Sequence, residues 1–396
     1  MNIFMVTSVP VTPPWDQGDK NLAYGLTQKL QHHHFNILAQ HGAQYPCGEN
    51  LSPVPIFASR TPSLLQKARV FWHLMQTPYS GLESNAAASC ECPDLFHLVY
   101  RPTAGSSWLN RLLPAFRRRP TLHTIPALNS SQGKIYPGLF FADRLVVLSR
   151  LAYDTLRQMG FTNVTHIPVG IDTTRWSHLG RKRSRIRSRL GLSTQPVLLY
   201  PGHYTRGYGA QVILEALPGL VKKIPDLRII FACRLRSAGD RGRERAYKKR
   251  LQDMGLSEHV RFFNTVDDMQ PLIAASELTI LPSETLRDKL DIPTTLLESL
   301  AARVPIIISN LPSMNELMDV AAARDSVEHR NLRVSEIGLA VPPGDSLALV
   351  EAITYMLEDP ALRLRMGKNG EELVRERFNS AKTAQEYENL YQELVS

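Results

Sequence analysis

Cysteine is scarce: Cys47, Cys90, Cys92 and Cys233 are the four in 396 residues. Cys90 and Cys92 form a lone C-x-C with no second pair, so the ligand spacing of a zinc site is missing and no metal is expected. Free thiols in a reducing, cytoplasmic setting are the expected state. No apolar run approaches the roughly 20 residues that cross a bilayer. The opening MNIFMVTSVPVTPP lacks a charged n-region and reads as a first strand running into a loop, not as a signal peptide. No repeat of solenoid period occurs. Zinc-finger, RNA-recognition and helix-turn-helix patterns are also missing, so no nucleic-acid partner is expected.

What is there suits two domains. The length exceeds a usual single core, and a hydrophobic fraction of 43% excludes a disordered chain. The net charge of +9 points to an anionic partner without choosing it. Along the first half, strands are expected at Asn2 to Ser8, Phe35 to Leu38, DLFHLVY, PTLHTI and DRLVVLS, with a helix near Leu22 to Leu30. The second half restarts at PVLLY and continues through LRIIFAC, VRFFN, ELTILP and VPIIIS, with helical segments between most of them. Such alternation predicts an α/β chain with two parallel-sheet, Rossmann-like domains facing a central cleft. The expected boundaries are 1–176, a basic linker at 177–193, and 194–375. An amphipathic helix at 376–396 is expected to pack back toward the first domain.

Glu298 raises the main question, because it stands among Leu296, Leu297, Leu300 and Ala301, where a bare carboxylate costs stability. Pro293 is expected in the first turn of a helix, leaving the Thr294 and Thr295 amides free at its positive end. Glu298 follows them by four and three residues and so shares their face. One turn rises about 5.4 Å, comparable to the reach from a diphosphate to its ribose. Phosphate at the amides and ribose at the carboxylate is therefore the functional reading; an exposed glutamate is the bland one.

The loop PGHYTRGYG, with Gly202 and Gly209, lies between a strand and a helix, where bare backbone can approach phosphate. It matches neither G-x-G-x-x-G nor a Walker loop, and an ordinary tight turn would explain it as well. Arg206 within it could pair with phosphate. His123 is expected at a strand end, facing either a sugar hydroxyl or a structural partner. Gly18 and Asp19 precede another helix and mark a second ligand-facing terminus, or a simple cap. The triplet His32, His33, His34 closes a helix, where a solvated cationic end is expected in preference to metal. WLNRLLPAFRRR could rest on an anionic membrane surface, which would make the protein peripheral at the inner face; a solvated basic face is the alternative.

With these pieces in order, the chain resembles the retaining glycosyltransferases of family four, which have the GT-B fold. PPWDQGDKN looks like the family's first glycine loop, and FFADRLVVLSRLAYDTL with THIPVGIDTTRW resembles its closing segments before the linker. VLLYPG…GAQVILEAL and LLESLAARVPIIISNLPSMNEL are similar to its donor-binding blocks. The resemblance implies sugar transfer from a nucleotide-diphosphate donor, UDP-, GDP- or ADP-linked, to a hydroxyl acceptor, without metal or cofactor. It implies that Glu298 holds ribose, His123 approaches the donor sugar, Thr294 and Thr295 face the diphosphate, and Gly18 lines the acceptor side. The family commonly has two glutamates eight positions apart; here the earlier position is Leu290. Lys289 and Asp291 flank it, a Lys-x-Asp-x-Pro version of the loop in which Asp291 could serve the donor sugar. His203 and Tyr208 stand where the family has basic residues, and Arg206 and Lys289 are the candidates to restore that charge. Two other readings stand beside transfer: a GT-B sugar-nucleotide epimerase or hydrolase, and a degenerate sugar-binding module.

Overall fold

A computed structural model of the chain describes residues 1–13, 18–42, 49–58, 70, 92–112, 115–128, 135–176, 182–235, 237–264, 266, 268–286, 289–320, 328–329 and 332–396. They form two units, Met1–Gly170 with Ser380–Ser396, and Ile171–Asn379.

The first unit carries β1 (Asn2–Thr7), β2 (His34–Gln40), β3 (Leu51–Phe57), β4 (Leu95–Val99), β5 (Thr121–Ile125), β6 (Arg144–Val147) and β7 (Val164–His166). The sheet is parallel throughout, in the order β3-β2-β1-β4-β5-β6-β7. Every residue of β4 and β5 is buried, as strands covered on both faces require. β3 is an addition to the expected strands. Its Pro53 and Pro55 argue against a central strand, and it sits at the sheet edge, where a missing N–H costs little.

The second unit carries β8 (Val197–Tyr200), β9 (Arg228–Ala232), β10 (Val260–Phe263), β11 (Leu278–Leu281), β12 (Ile306–Ser309), β13 (Glu328–His329), β14 (Leu332–Val334) and β15 (Gly338–Val341). The order is β10-β9-β8-β11-β12-β15-β14-β13, with β13 and β14 antiparallel. β15 also escaped the sequence reading, being short and opened by a glycine. That glycine has a steric reason: a Cβ on Gly338 would lie 2.0 Å from the Ile306 carbonyl oxygen on the paired strand. Gly338→Ala should therefore lower the unit's stability by about 1–3 kcal/mol, the usual cost of overpacking a tight core. Urea unfolding would measure it, and an unchanged midpoint would contradict the packing.

The stretch expected as a linker is different. Residues 177–181 lie outside the described residues, but Arg183–Arg189 is a helix of the second unit. Arg187 is buried: its Nη1 donates to the Ala275 carbonyl at 2.7 Å and its Nε to that of Ser193 at 2.9 Å. Glu277 receives both Arg183 and Arg187, at 2.6 and 3.1 Å. Basic composition suggested solvent, yet a guanidinium buries readily once its donors are met.

At the other end, the helix Ser380–Val395 belongs to the first unit. The Tyr387 hydroxyl bonds with that of Thr124 at 2.9 Å. Tyr391 reaches His97 Nδ1 at 2.7 Å, and the other nitrogen of His97 meets Thr124 Oγ1 at 2.8 Å. Burial, reinforced by nearby His123, pushes the His97 pKa down to about 3. The ring is neutral in the folded unit.

Candidate functional site

Both sheets share a topological feature. From β8 the chain winds outward through β9 and β10, and it then returns to add β11 on the opposite side of β8. The loops after β8 and β11 therefore leave in opposite directions, which opens a crevice at the carboxyl ends of these two strands. The first unit repeats this between β1 and β4.

In the second unit the loop after β8 wraps a tyrosine. A Cβ on Gly202 would stand 1.9 Å from the Tyr200 ring, and one on Gly209 would stand 2.9 Å from its hydroxyl. That hydroxyl donates to the His203 carbonyl at 3.1 Å and accepts the Ala210 N–H. Gly202 and Gly209 thus have a packing reason for being bare, which the phosphate reading had not foreseen. Gly207 and Tyr208 follow with φ of 70° and 54°, a left-handed pair that turns the chain into the helix Gly209–Lys223. Gly207 also touches the loop after β11: its carbonyl accepts Glu284 N–H at 2.8 Å, and a Cβ would meet the Thr285 oxygen at 2.8 Å. Arg206 is exposed on this loop.

Lys289 and Asp291 lie on the loop after β11. Lys289 is half-buried, and its charge acts on the Cys233 thiol, which also bonds the Gly202 backbone. Burial nevertheless pushes that thiol up to about 12, so it is inert. Asp291 is 2% exposed and Leu290 is buried beside it, so the position where the resembled family carries a glutamate is apolar packing here.

The helix Thr294–Ala301 then begins with no side-chain cap. Pro293 stands at the N-cap, one position before the first turn expected of it, in extended backbone (φ −63°, ψ 124°). Thr294 and Thr295 are half-buried at this uncapped end. One turn on, Glu298 is half-buried, and no hydrogen bond or ion pair ties its carboxylate to another described residue. Desolvation raises its pKa to about 7, with Arg175 pulling it down and Asp268 pushing it up. Arg175 and Asp268 went unnoticed in the sequence. Arg175 stands in the GIDTTRW segment, and Gln270 Nε2 holds its carbonyl at 3.0 Å; Asp268 caps Gln270 at 3.0 Å. Nothing local in the sequence joins either of them to Glu298.

His123, Gly18 and Asp19 belong to the first unit. His123 is the middle residue of β5, not its end, and it is wholly buried. Its Nε2 donates to the Tyr100 carbonyl at 3.0 Å, while Nδ1 has no partner among the described residues. Burial lowers its pKa to about 4, leaving a neutral ring with one buried acceptor. Gly18 opens the helix Gly18–Lys29. Asp19 is half-buried; desolvation raises its pKa against the opposing pull of the Lys20 N–H and of Arg101. Tyr100 and Arg101 directly follow β4, so His123 and Asp19 both address the chain just past that strand. The intervening residues 14–17 lie outside the described residues.

Residues 182–373 match the family model Glycosyl transferases group 1. The chain is 28% identical over 200 residues to a phosphatidyl-myo-inositol mannosyltransferase of Mycobacterium leprae, covering 50% of this chain and 47% of that protein. It spans about half the length of the curated relatives it matches. Among solved structures, sucrose-phosphate synthase of Thermosynechococcus elongatus superimposes with a TM-score of 0.77 at 20% identity, covering 100% of this chain and 99% of that one. Anabaena HepE in complex with UDP-glucose gives 0.73 at 17% identity, with 100% of both chains covered. The fold is GT-B.

Proposed function

We propose that this chain is a glycosyltransferase that moves a sugar, with retention and without metal, from a nucleotide-diphosphate donor to a hydroxyl acceptor. The observation that carries the reading is Glu298: a half-buried carboxylate with no hydrogen-bond partner among the described residues, one turn from an uncapped helix start beside a sheet's switch point. It lies inside the segment that matches the family model. A ribose offers the two hydroxyl donors that such a carboxylate lacks, and the Thr294 and Thr295 amides, at a helix start with no side-chain cap, suit the diphosphate.

The protein's work in this scheme is electrostatic. The glycosidic bond to phosphate breaks as the acceptor oxygen attacks, the proton of that oxygen passes to the leaving phosphate, and negative charge accumulates on the diphosphate. Lys289 and Arg206 are our assignments for the cations that meet it, with Gly202 and Gly209 shaping the loop that presents Arg206. Asp291 is assigned to a donor-sugar hydroxyl and Gly18 and Asp19 to the acceptor side, while His123, wholly buried within β5, is assigned a positioning role through the Tyr100 carbonyl. Trp108 and Leu112 are exposed near Arg117, Arg118 and Arg119. We therefore extend the reading to an acceptor or surface carrying anionic lipid, which flotation with phosphatidylglycerol vesicles would test. No helix among the described residues is long and apolar enough to cross a membrane.

Incubation with UDP-, GDP- and ADP-sugars, with and without hydroxyl acceptors, tests the activity. Acceptor-dependent nucleotide release is expected. Release without acceptor indicates a hydrolase, and donor binding with no turnover indicates a binding module. Lys289→Ala should lower kcat by about 10²-fold, the usual effect of deleting one group that stabilises transition-state charge. Full activity in that variant would remove Lys289 from the reaction centre.

A further inference from the structure

Of the histidine triplet, His32 and His34 are exposed as expected but His33 is not. His33 is buried, and the Nε2 atoms of His32 and His33 lie 2.9 and 2.6 Å from one oxygen of Glu388, on the helix Ser380–Val395. We propose that His32, His33 and Glu388 bind one divalent transition-metal ion, zinc(II) being the ion their chemistry fits. Their ligating atoms all lie within 4.8 Å of one another. Two imidazoles and a carboxylate make a borderline donor set that suits zinc and leaves a fourth position for water.

The surroundings are those of a built site. The other Glu388 oxygen accepts from Gln392 Nε2 at 2.6 Å, which fixes the carboxylate's orientation as outer partners of metal ligands do. The His33 ring is set edge-on to Tyr391 and Phe35, at 5.9 and 6.3 Å between centroids, and its Nδ1 lies 3.4 Å from the Met1 nitrogen. The His32 side chain is 60% exposed, against 4% for His33 and 9% for Glu388, so it supplies both an entry path and a freedom to rotate. The nitrogen–oxygen separations are at present hydrogen-bond lengths. Ligands about 2.0–2.1 Å from zinc in a tetrahedral array stand about 3.3–3.4 Å apart, so both pairs must open, by a few tenths of an ångström at His32 and by more at the buried His33–Glu388 pair. A neutral imidazole coordinates through Nε2 with its proton carried on Nδ1, and an imidazolium first releases its Nε2 proton to solvent; at His33 the Nδ1–H then requires the Met1 nitrogen 3.4 Å away to be the neutral, accepting amine. Binding therefore weakens as pH falls. A bound ion would fasten the C-terminal helix to the turn before β2, within the first unit.

The experiment uses full-length protein stripped with EDTA and titrated with zinc(II) against a chromophoric chelator. One equivalent is expected to bind, raising the melting temperature. His32→Ala, an exposed position that leaves folding intact, should weaken binding by at least about 10-fold, and Glu388→Gln likewise. His34→Ala should leave it unchanged, since that ring faces Ser52 at 2.8 Å. Cobalt(II) should give the intense visible absorption of a four- or five-coordinate site, lost in His32→Ala. The proposal is overturned if no stoichiometric zinc is retained, or if retention survives both His32→Ala and Glu388→Gln. In that case the cluster is a hydrogen-bonded staple only.

Discussion

Glu298→Gln should lower kcat/KM for the nucleotide-sugar donor by about 10- to 100-fold while the protein stays folded. Hydrogen bonds to a charged acceptor are worth about 1.5–3 kcal/mol, and the amide turns one acceptor into a donor that faces the ribose hydroxyls. The pKa of about 7 gives a second, more discriminating result. Desolvation raises Glu298 above its ordinary 4.5, so an appreciable share of the carboxyl is protonated near neutrality. Since kcat/KM reports the free protein's ionisations, the wild type should lose donor efficiency as pH falls through about 7. The amide of the variant cannot titrate, so its profile should stay flat there. Steady-state kinetics from about pH 8 to 5.5, spanning the usual window for a raised carboxyl, would decide; a wild-type profile flat through neutrality, or unaltered donor efficiency in the variant, would refute the ribose role.

The second large effect is acid destabilisation of the first unit. His97 and His123 have pKa values pushed down by burial from 6.5 to about 3 and about 4. The unfolded chain protonates both near 6.5, while the folded unit holds both neutral far below that. Stability is then fully present above pH 6.5 and is lost as pH falls toward the folded values. Each ring contributes a slope of about 1.4 kcal/mol per pH unit within that window. Their mutual repulsion couples the two, so the combined loss is of the order of several kcal/mol without being a simple sum. Urea unfolding at pH 7, 6 and 5 should show the midpoint of the first unit dropping steadily. Imidazole proton resonances of both rings should hold their neutral positions throughout. A midpoint independent of pH, or rings that titrate near 6.5, would show that they are not enclosed as described.

How the chain reads depends on how far apart its interacting parts lie. β1, β4, β5 and β8 to β12 were visible because short apolar runs between helical periods are a local signal. β3 was missed because its prolines mimic a loop and only its edge position excuses them. The Arg183–Arg189 helix reads as a linker in the sequence because guanidinium burial is legible only once Ala275, Ser193 and Glu277 are known to surround it. Glu298 stood out as an acid in an apolar helix, and the spacing from Thr294 needed only 3.6-residue periodicity. Its titration could not be read in the same way, since Arg175 and Asp268 come from distant turns.

By itself the sequence determined the alternating strand and helix, the two-unit order and the helix face shared by Thr294, Thr295 and Glu298. All of these rest on periodicity within a dozen residues. Tertiary structure alone decided that Tyr200 fills the glycine loop, that His123 is sealed beneath Tyr100, and that His33 meets Glu388 across 355 positions. The physical reason is that burial and charge act through space. A side chain's pKa and partners belong to whatever the fold brings within a few ångströms of it, and the local sequence does not specify that set.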